Sequence, residues 1–250
     1  MSGELSGKVA LVTGASRRSG RATAIRLARH GAAVVLNARS AGAEIEAVAQ
    51  EIRNEGGRAI AYLADVTDEQ AVLGMFERAV AEFGGIDILV NNAAIRQHAP
   101  FVEMSYAEWR EVTGIILDGA FFCSRSALPH MIERGGGVII NIGGLTGHTG
   151  ALQRAHVVTA KAGLVGLTKA LAQEFGEYAI RVNCVVPGRI GGLRSATAGH
   201  VAPSKSVTVP ALGRDGEVEE VADMILALIL PSGRYVTGQT IHINGGLYLP

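Results

Sequence analysis

Two cysteines in 250 residues, Cys123 and Cys184, are isolated and have no metal or redox spacing, so neither a disulfide framework nor a zinc or dithiol motif is expected. An excess of one charge is also missing. Lys plus Arg and Asp plus Glu both number 23, which leaves no field to gather nucleic acid or an anionic membrane surface. The longest purely apolar run, Met224 to Leu230, ends at Pro231, far below the roughly 20 residues needed to cross a bilayer. Met1 to Lys8 lacks the charged, apolar, small-residue order of a secretory signal, so a cytoplasmic location is expected. No repeat, charge block or Pro- or Ser-rich linker divides the chain, and residues 1–250 read as one domain.

What the chain does contain is apolar material, 48% of its residues, and 33 glycines spread along its length, the mark of many tight strand-to-helix turns. Apolar runs at Val9 to Val12, Ala33 to Leu36, Ala59 to Leu63, Ile86 to Val90, Val138 to Ile142, Ile180 to Val186 and Thr240 to Ile243 alternate with helix-length segments. Continuous rather than alternating apolarity suits strands covered on both faces. The expected fold class is therefore α/β: a doubly wound, seven-stranded parallel sheet of the Rossmann type. Ala24, Leu27 and Ala28 form one apolar helix stripe, and Ala160, Leu164, Leu167 and Leu171 another. The irregular stretch 189–212 follows a strand end, where it is either a substrate-covering segment or a plain surface connection.

Thr13-Gly14-Ala15-Ser16-Arg17-Arg18-Ser19-Gly20 follows the first strand and opens a helix, the setting of a dinucleotide loop. Gly14 permits the tight turn, and Gly20 permits close helix–strand packing. Arg18 occupies the middle position, usually glycine, where it either reaches a phosphate or faces solvent. The second strand ends at Asn37-Ala38-Arg39-Ser40, with no acid to hold the ribose 2′-hydroxyl of NAD. Arg39, with Arg17 in the loop before it, offers two cations to a 2′-phosphate, so NADP(H) is favoured over NAD(H).

These features resemble the classical short-chain dehydrogenase/reductase (SDR) family along nearly the whole chain. Asp65-Val66 resembles the pair that contacts adenine, and Asn91-Asn92-Ala93-Ala94 resembles the Asn-Asn-Ala-Gly turn. Pro187-Gly188, with Ile190, and Gly245-Gly246 fit as well. The resemblance implies cofactor contacts from Gly14, Ser16, Arg17, Arg18, Gly20, Asn37, Arg39, Ser40, Asp65, Val66, Asn92, Ala93, Lys161, Pro187, Gly188 and Ile190. It also implies a homo-oligomer, a tetramer or a dimer, built through helices near Ala107 to Glu133 and Leu152 to Gly176, with the tail Leu247 to Pro250 at a subunit contact.

The family's catalytic set departs sharply. Ile116 stands at the helix asparagine, Gly144 at the substrate-orienting serine, Val157 at the tyrosine acid, and Gly192 at a nicotinamide-contacting threonine; Lys161 alone remains. A positioned general acid is worth about 10² to 10⁴ in rate, so unmodified ketone reduction is disfavoured. Candidate replacement acids are His98, His148 and His156, all three placed by sequence where they could line a cleft. Histidines at a local ligand spacing such as i, i+4 are absent, and no metal is expected. Two functions remain open. One is an NADP(H)-dependent oxidoreductase that reduces an activated C=C, C=N or C=O bond, a route also taken by SDR dienoyl reductases lacking the tyrosine. The other is a non-catalytic NADP(H)-binding pseudoenzyme, a sensor or silent subunit.

Overall fold

All seven apolar runs become strands of one parallel sheet: β1 Val9–Val12, β2 Ala33–Ala38, β3 Arg58–Leu63, β4 Ile88–Asn91, β5 Gly137–Ile142, β6 Ile180–Pro187 and β7 Thr240–Ile243. The structure, a computed structural model, describes residues 3–191 and 209–250. Helices α1 Arg18–Arg29, α2 Gly42–Asn54, α3 Glu69–Phe83, α4 Tyr106–Thr113, α5 Gly119–Glu133, α6 Thr146–Thr149, α7 Ala155–Glu174 and α8 Val218–Ile229 connect or flank the strands. The expected segment 189–212 lies largely outside the described residues, and so does Gly192.

Strand residues alternate between two cores, because successive side chains leave a strand on opposite faces. Ala10 and Val12 of β1 pack with Leu27 of α1, Ile45 of α2 and Val221 of α8. Val9 and Leu11 pack with Val72 and Met75 of α3 and Cys123 and Ala127 of α5. Each buried Val or Leu side chain stabilises the fold by about 1.5–3 kcal/mol relative to exposure, so a one-residue register slip would exchange the two cores and is disfavoured throughout.

The strand order is β3-β2-β1-β4-β5-β6-β7. From β1 the chain winds outward to β3, then returns to β4 on the other side of β1. Loops leaving the C-terminal ends of β1 and β4 therefore diverge, opening a crevice at this switch point.

One element departs from expectation. The helix expected as a continuous rod over 107–133 is broken by a π-helical turn, Gly114–Asp118, between α4 and α5. Such turns insert one extra residue into the i→i+4 ladder and gather at functional sites. Ile116 sits at its centre, 2% exposed.

Candidate active site

A cleft of about 550 Å³ lies along the C-terminal ends of the strands, within the range of small-molecule sites. At its centre is the glycine loop. Residue Arg17 precedes α1 without a side-chain cap, and the first turn of α1 carries no acid. Its backbone N–H groups are thus available to an anion. Gly14 adopts φ +62°. A Cβ on Gly20 would lie 2.3 Å from the Gly14 carbonyl oxygen and 2.5 Å from Asn92 Nδ2, so only glycine fits.

The β4 turn braces this loop. Asn92 Nδ2 donates to the carbonyls of Thr13, at 2.8 Å, and Gly14, at 3.0 Å. Thr13 Oγ1 accepts from the amides of Asn92 and Ala93. Asn92 and Ala93 also line the cleft. Beneath them, Asn91 Nδ2 donates to Asn141 Oδ1 and Ser124 Oγ, and Asn141 Nδ2 to Thr168 Oγ1. This buried polar network ties β4, β5, α5 and α7 under the crevice.

Arg18 lines the cleft. Its φ is +51°, a left-handed conformation natural to glycine and strained for arginine. Its guanidinium crosses the cleft and donates to the carbonyls of Ile190, at 3.1 Å, and Gly191, at 3.3 Å.

At the β2–β3 end, Asn37, Arg39, Ser40, Asp65 and Val66 line the cleft beside Ser16 and Arg17. Asn37 Nδ2 donates to the Ala64 carbonyl, which shapes the floor. Asp65 Oδ1 accepts from the Thr67 amide and hydroxyl. Pro187, Gly188 and Ile190 close the opposite wall. A glycine-lined switch point and an open helix N-terminus fit a dinucleotide, and Arg17 and Arg39 line the same end of the cleft.

At the β5–β6 end, Lys161 is buried and lines the cleft, its Nζ donating to the Ile142 carbonyl. Burial first, then the nearby Arg96 charge, lowers its pKa to about 7, with Cys184 acting weakly in the other direction. Gly144 faces the lysine stem: a Cβ there would meet Lys161 Cγ at 3.4 Å. Val157 lines the cleft and also belongs to an apolar cluster with Val112, Ile116, Ala120, Ala160 and Leu164. Ile116 of the π turn and Val157 of α7 thus belong to one apolar cluster at the edge of the cleft.

The three candidate histidines are not brought into the cleft, contrary to the expectation for all three. His98 Nε2 accepts from Arg154 Nε at 2.9 Å, turned back against the helix start. His148 packs edge-on to His242, with ring centroids 4.6 Å apart. His156 is fully buried and lies outside the cleft lining, as suits a position about 100° around the helix from Val157. Among the described lining residues there is no tyrosine.

Several lining residues were not named from sequence, among them the polar Arg96, Thr146 and Arg154. Arg154 was findable, since it stands seven residues before Lys161, two turns away on the same helix face. Thr146 is two residues beyond Gly144, and Arg96 three beyond Ala93. Arg96 lies on irregular backbone, and Thr146 opens the four-residue helix α6, too short for a sequence period to show its direction.

A doubly wound parallel sheet with a glycine loop at its switch point defines a dinucleotide-binding α/β protein. Comparison with known proteins narrows this. A family model described as enoyl-(acyl carrier protein) reductase matches residues 14–248. The 3-oxoacyl-(acyl-carrier-protein) reductase FabG of Staphylococcus aureus (strain Mu50) is 38% identical over 243 residues, 97% of this chain and 98% of that protein. FabG of Aquifex aeolicus (strain VF5) is 39% identical over 246 residues, covering 98% and 99%. Among solved structures, a blue fluorescent protein from a metagenomic library in complex with NADPH superposes with TM-score 0.89 at 34% identity, covering 98% of this chain and all of that one. A dehydrogenase/reductase from Sinorhizobium meliloti 1021 gives TM-score 0.89 at 37% identity, covering 98% and 96%. The chain belongs to the short-chain dehydrogenase/reductase family of NAD(P)-binding oxidoreductases.

Proposed function

We propose that this protein is an NADP(H)-dependent reductase of activated C=C, C=N or C=O bonds, working without the family's tyrosine. The observation that carries the reading is one continuous cleft with Arg17 and Arg39 at one end and the buried amine of Lys161 at the other. The arginines suit a 2′-phosphate, and a solved relative is described in complex with NADPH. Bound NADPH would supply the hydride, and a proton from Lys161 Nζ or water would complete the reduced bond.

The chain's own groups favour substrates whose electron demand is already high. Val157 can give no proton, and Gly144 can orient no oxygen. A carbonyl-conjugated alkene places developing charge on its oxygen, where Lys161 and Arg96 offset it electrostatically. An iminium carries its positive charge beforehand. The matched family description, an enoyl reductase, names a conjugated C=C reduction. Thr146, which lines the same cleft, adds a hydroxyl that takes part in holding the substrate. A cytoplasmic location belongs to the same reading, and no helix among the described residues is long and apolar enough to cross a membrane.

One observation favours the non-catalytic alternative: Ile116 and Val157 fill the relay position with a packed apolar cluster. Fluorescence titration with NADPH and NADH, followed by a screen of enones, imines and ketones, separates the readings. Tight NADPH binding, weak NADH binding and turnover of any activated substrate support the reductase. In Arg39→Gln, loss of a charge-assisted phosphate contact should weaken NADPH roughly tenfold to a hundredfold and leave NADH unchanged. NADPH binding without turnover would support a sensor or silent subunit.

The same reading includes a homo-oligomer, dimer or tetramer. Phe121 and Ile132 of α5, Leu152 before α7, and Leu249 in the tail are exposed apolar side chains, on the segments expected to form subunit contacts. Sedimentation at micromolar concentration should give a species of two or four chains. A monomer would overturn it.

A further inference from the structure

The C-terminal tail folds back onto the edge of the sheet and closes a cluster of three rings there. β7 is the edge strand. Ile241 and Ile243 turn to the core shared with α1 and α8, so His242 leaves β7 on the opposite face. Beyond β7 the chain reverses at Gly245 and Gly246, with φ +61° and +78°, values that glycine adopts without strain. Asn244 fixes the reversal: its Oδ1 accepts from the Gly246 amide at 2.9 Å, and its Nδ2 donates to the Tyr248 carbonyl at 2.8 Å. The Tyr248 ring is thereby brought back to His242, with centroids 5.2 Å apart. His148 of α6 completes the cluster, its centroid 4.6 Å from that of His242 and 5.9 Å from that of Tyr248. Its backbone is fixed from below, because Gly147 lies so close to α7 that a Cβ there would stand 3.0 Å from the Ala162 nitrogen.

The two imidazoles hold polar atoms without partners. His148 Nε2 and His242 Nδ1 are both shielded from solvent, and neither makes a hydrogen bond. One unpaired buried nitrogen is unfavourable, and two in touching rings call for a shared explanation. A divalent metal ion accepts both lone pairs at once. Two imidazoles on one tetrahedral ion, with their nitrogens about 2.0–2.1 Å from it, place their centroids roughly 5 Å apart, close to the 4.6 Å observed. The terminal torsion of histidine is broad, so small ring rotations aim both lone pairs at one point. Among the described residues no third His, Cys, Asp or Glu joins the pair, which leaves the remaining positions to water or the Tyr248 phenol. Sequence spacing could not show the pair, since the two histidines are 94 residues apart.

We propose that His148 and His242 form a two-imidazole site for a borderline divalent ion of the zinc class, closed over by Tyr248. Imidazole nitrogen selects Zn²⁺, Ni²⁺ or Cu²⁺ over the oxygen-seeking Mg²⁺ and Ca²⁺. The ion fastens α6 to β7 and the tail. Because α6 also carries Thr146, which lines the cleft, the same ion stiffens one wall of the nucleotide site. Neither histidine lines that cleft, and the assignment stands apart from the reductase reading.

The test is calorimetric titration of the full-length protein, without a histidine tag, with Zn²⁺ and separately with Mg²⁺. One Zn²⁺ per chain is expected, and no binding of Mg²⁺. Zinc affinity should fall about tenfold or more in His148→Gln and in His242→Gln, since even an outer-shell partner is worth that much to a bound metal. It should stay within about twofold of wild type in His130→Gln, on α5 and outside the cluster. Zn²⁺ should raise the melting temperature of the wild type and of His130→Gln, but not of the other two variants. Anomalous diffraction from crystals grown with one equivalent of Zn²⁺ locates the ion without any variant, and a peak about 2.0–2.1 Å from a ring nitrogen of each histidine is expected. Absence of zinc binding in solution, undiminished binding in either folded glutamine variant of the pair, or an anomalous peak elsewhere overturns the site. If a variant fails to fold, the wild-type titration and the anomalous peak decide.

Discussion

The proposed reduction depends most on Lys161, whose environment changes what a lysine is. Taken into the protein beside Arg96, its amine titrates near 7 rather than near 10, so both protonation states are populated at neutral pH. As proton donor it must be the ammonium form, which disappears as pH rises through about 7. The rate of a proton-limited reduction should therefore fall about tenfold per pH unit above 7 and level off below it. A pH–rate profile checks this, and a flat profile from pH 6 to 9 would remove Lys161 from proton delivery. Stability follows the opposite sense. Between pH 7 and about 10 the unfolded chain binds the proton that the folded lysine has released, so Lys161 makes stability rise with pH over that window. The neutral Lys161→Met variant should lose turnover yet gain about 1 kcal/mol or more at pH 6, measured by urea denaturation.

The glycine loop, the β4 turn and the start of α1 act as one element, held by bonds no longer than 3.0 Å from Asn92 Nδ2 and to Thr13 Oγ1. Gly20→Ala places a methyl 2.3 Å from the Gly14 carbonyl oxygen and 2.5 Å from Asn92 Nδ2, backbone and a committed donor. The loop must open to admit it. Stability should fall by about 1–3 kcal/mol, the cost of overpacking, and NADPH binding should be lost, whereas Gly176→Ala, with nothing within 4 Å of the added Cβ, should bind NADPH like wild type. Parallel titrations of the two variants decide it. At this scale the sequence was readable where one rule acted alone. Strands buried on both faces must be apolar throughout, so β1, β2, β5 and β6 announced themselves, and Gly14 and Gly20 marked the loop. The π turn at Gly114–Asp118 gave no signal, since one residue added to a helical ladder leaves composition and periodicity nearly unchanged. Nor did sequence place the loop side chains. His98 and Arg96 are two residues apart on one irregular segment, yet Arg96 lines the cleft and His98 turns to Arg154.

Across the whole molecule, the edge of the sheet opposite the cleft is fastened by one carboxylate. Asp87, 3% exposed, lies just before β4. It accepts from Lys8 Nζ at 3.0 Å, the Val9 amide at 2.9 Å and Arg134 Nε at 3.0 Å. It therefore joins the start of β1, the start of β4 and the end of α5, segments far apart in sequence. Burial alone would raise its pKa, but Arg134, the Val9 amide and Lys8 together outweigh burial and hold it below the usual carboxylate range. A depressed carboxylate stabilises the folded state fully above the unfolded pKa of about 3.9 and loses that contribution as pH falls through its folded value. Removing it leaves Arg134 and the Val9 amide without their acceptor. Asp87→Ala should cost about 1.5–3 kcal/mol at pH 7, the range for a hydrogen bond to a charged group, because Lys8 and Arg134 keep contact with solvent. The difference from wild type should shrink steadily as pH is lowered below 4. Because the clamp sits at the N-terminal strand ends and the nucleotide cleft at the C-terminal ends, NADPH affinity of the folded variant should match wild type at 15 °C. Urea midpoints at pH 7 and pH 3.5, with an NADPH titration on the same samples, measure both. A variant as stable as wild type would mean that the three donors find other acceptors, and one that folds but binds NADPH poorly would mean that the two edges of the sheet are coupled.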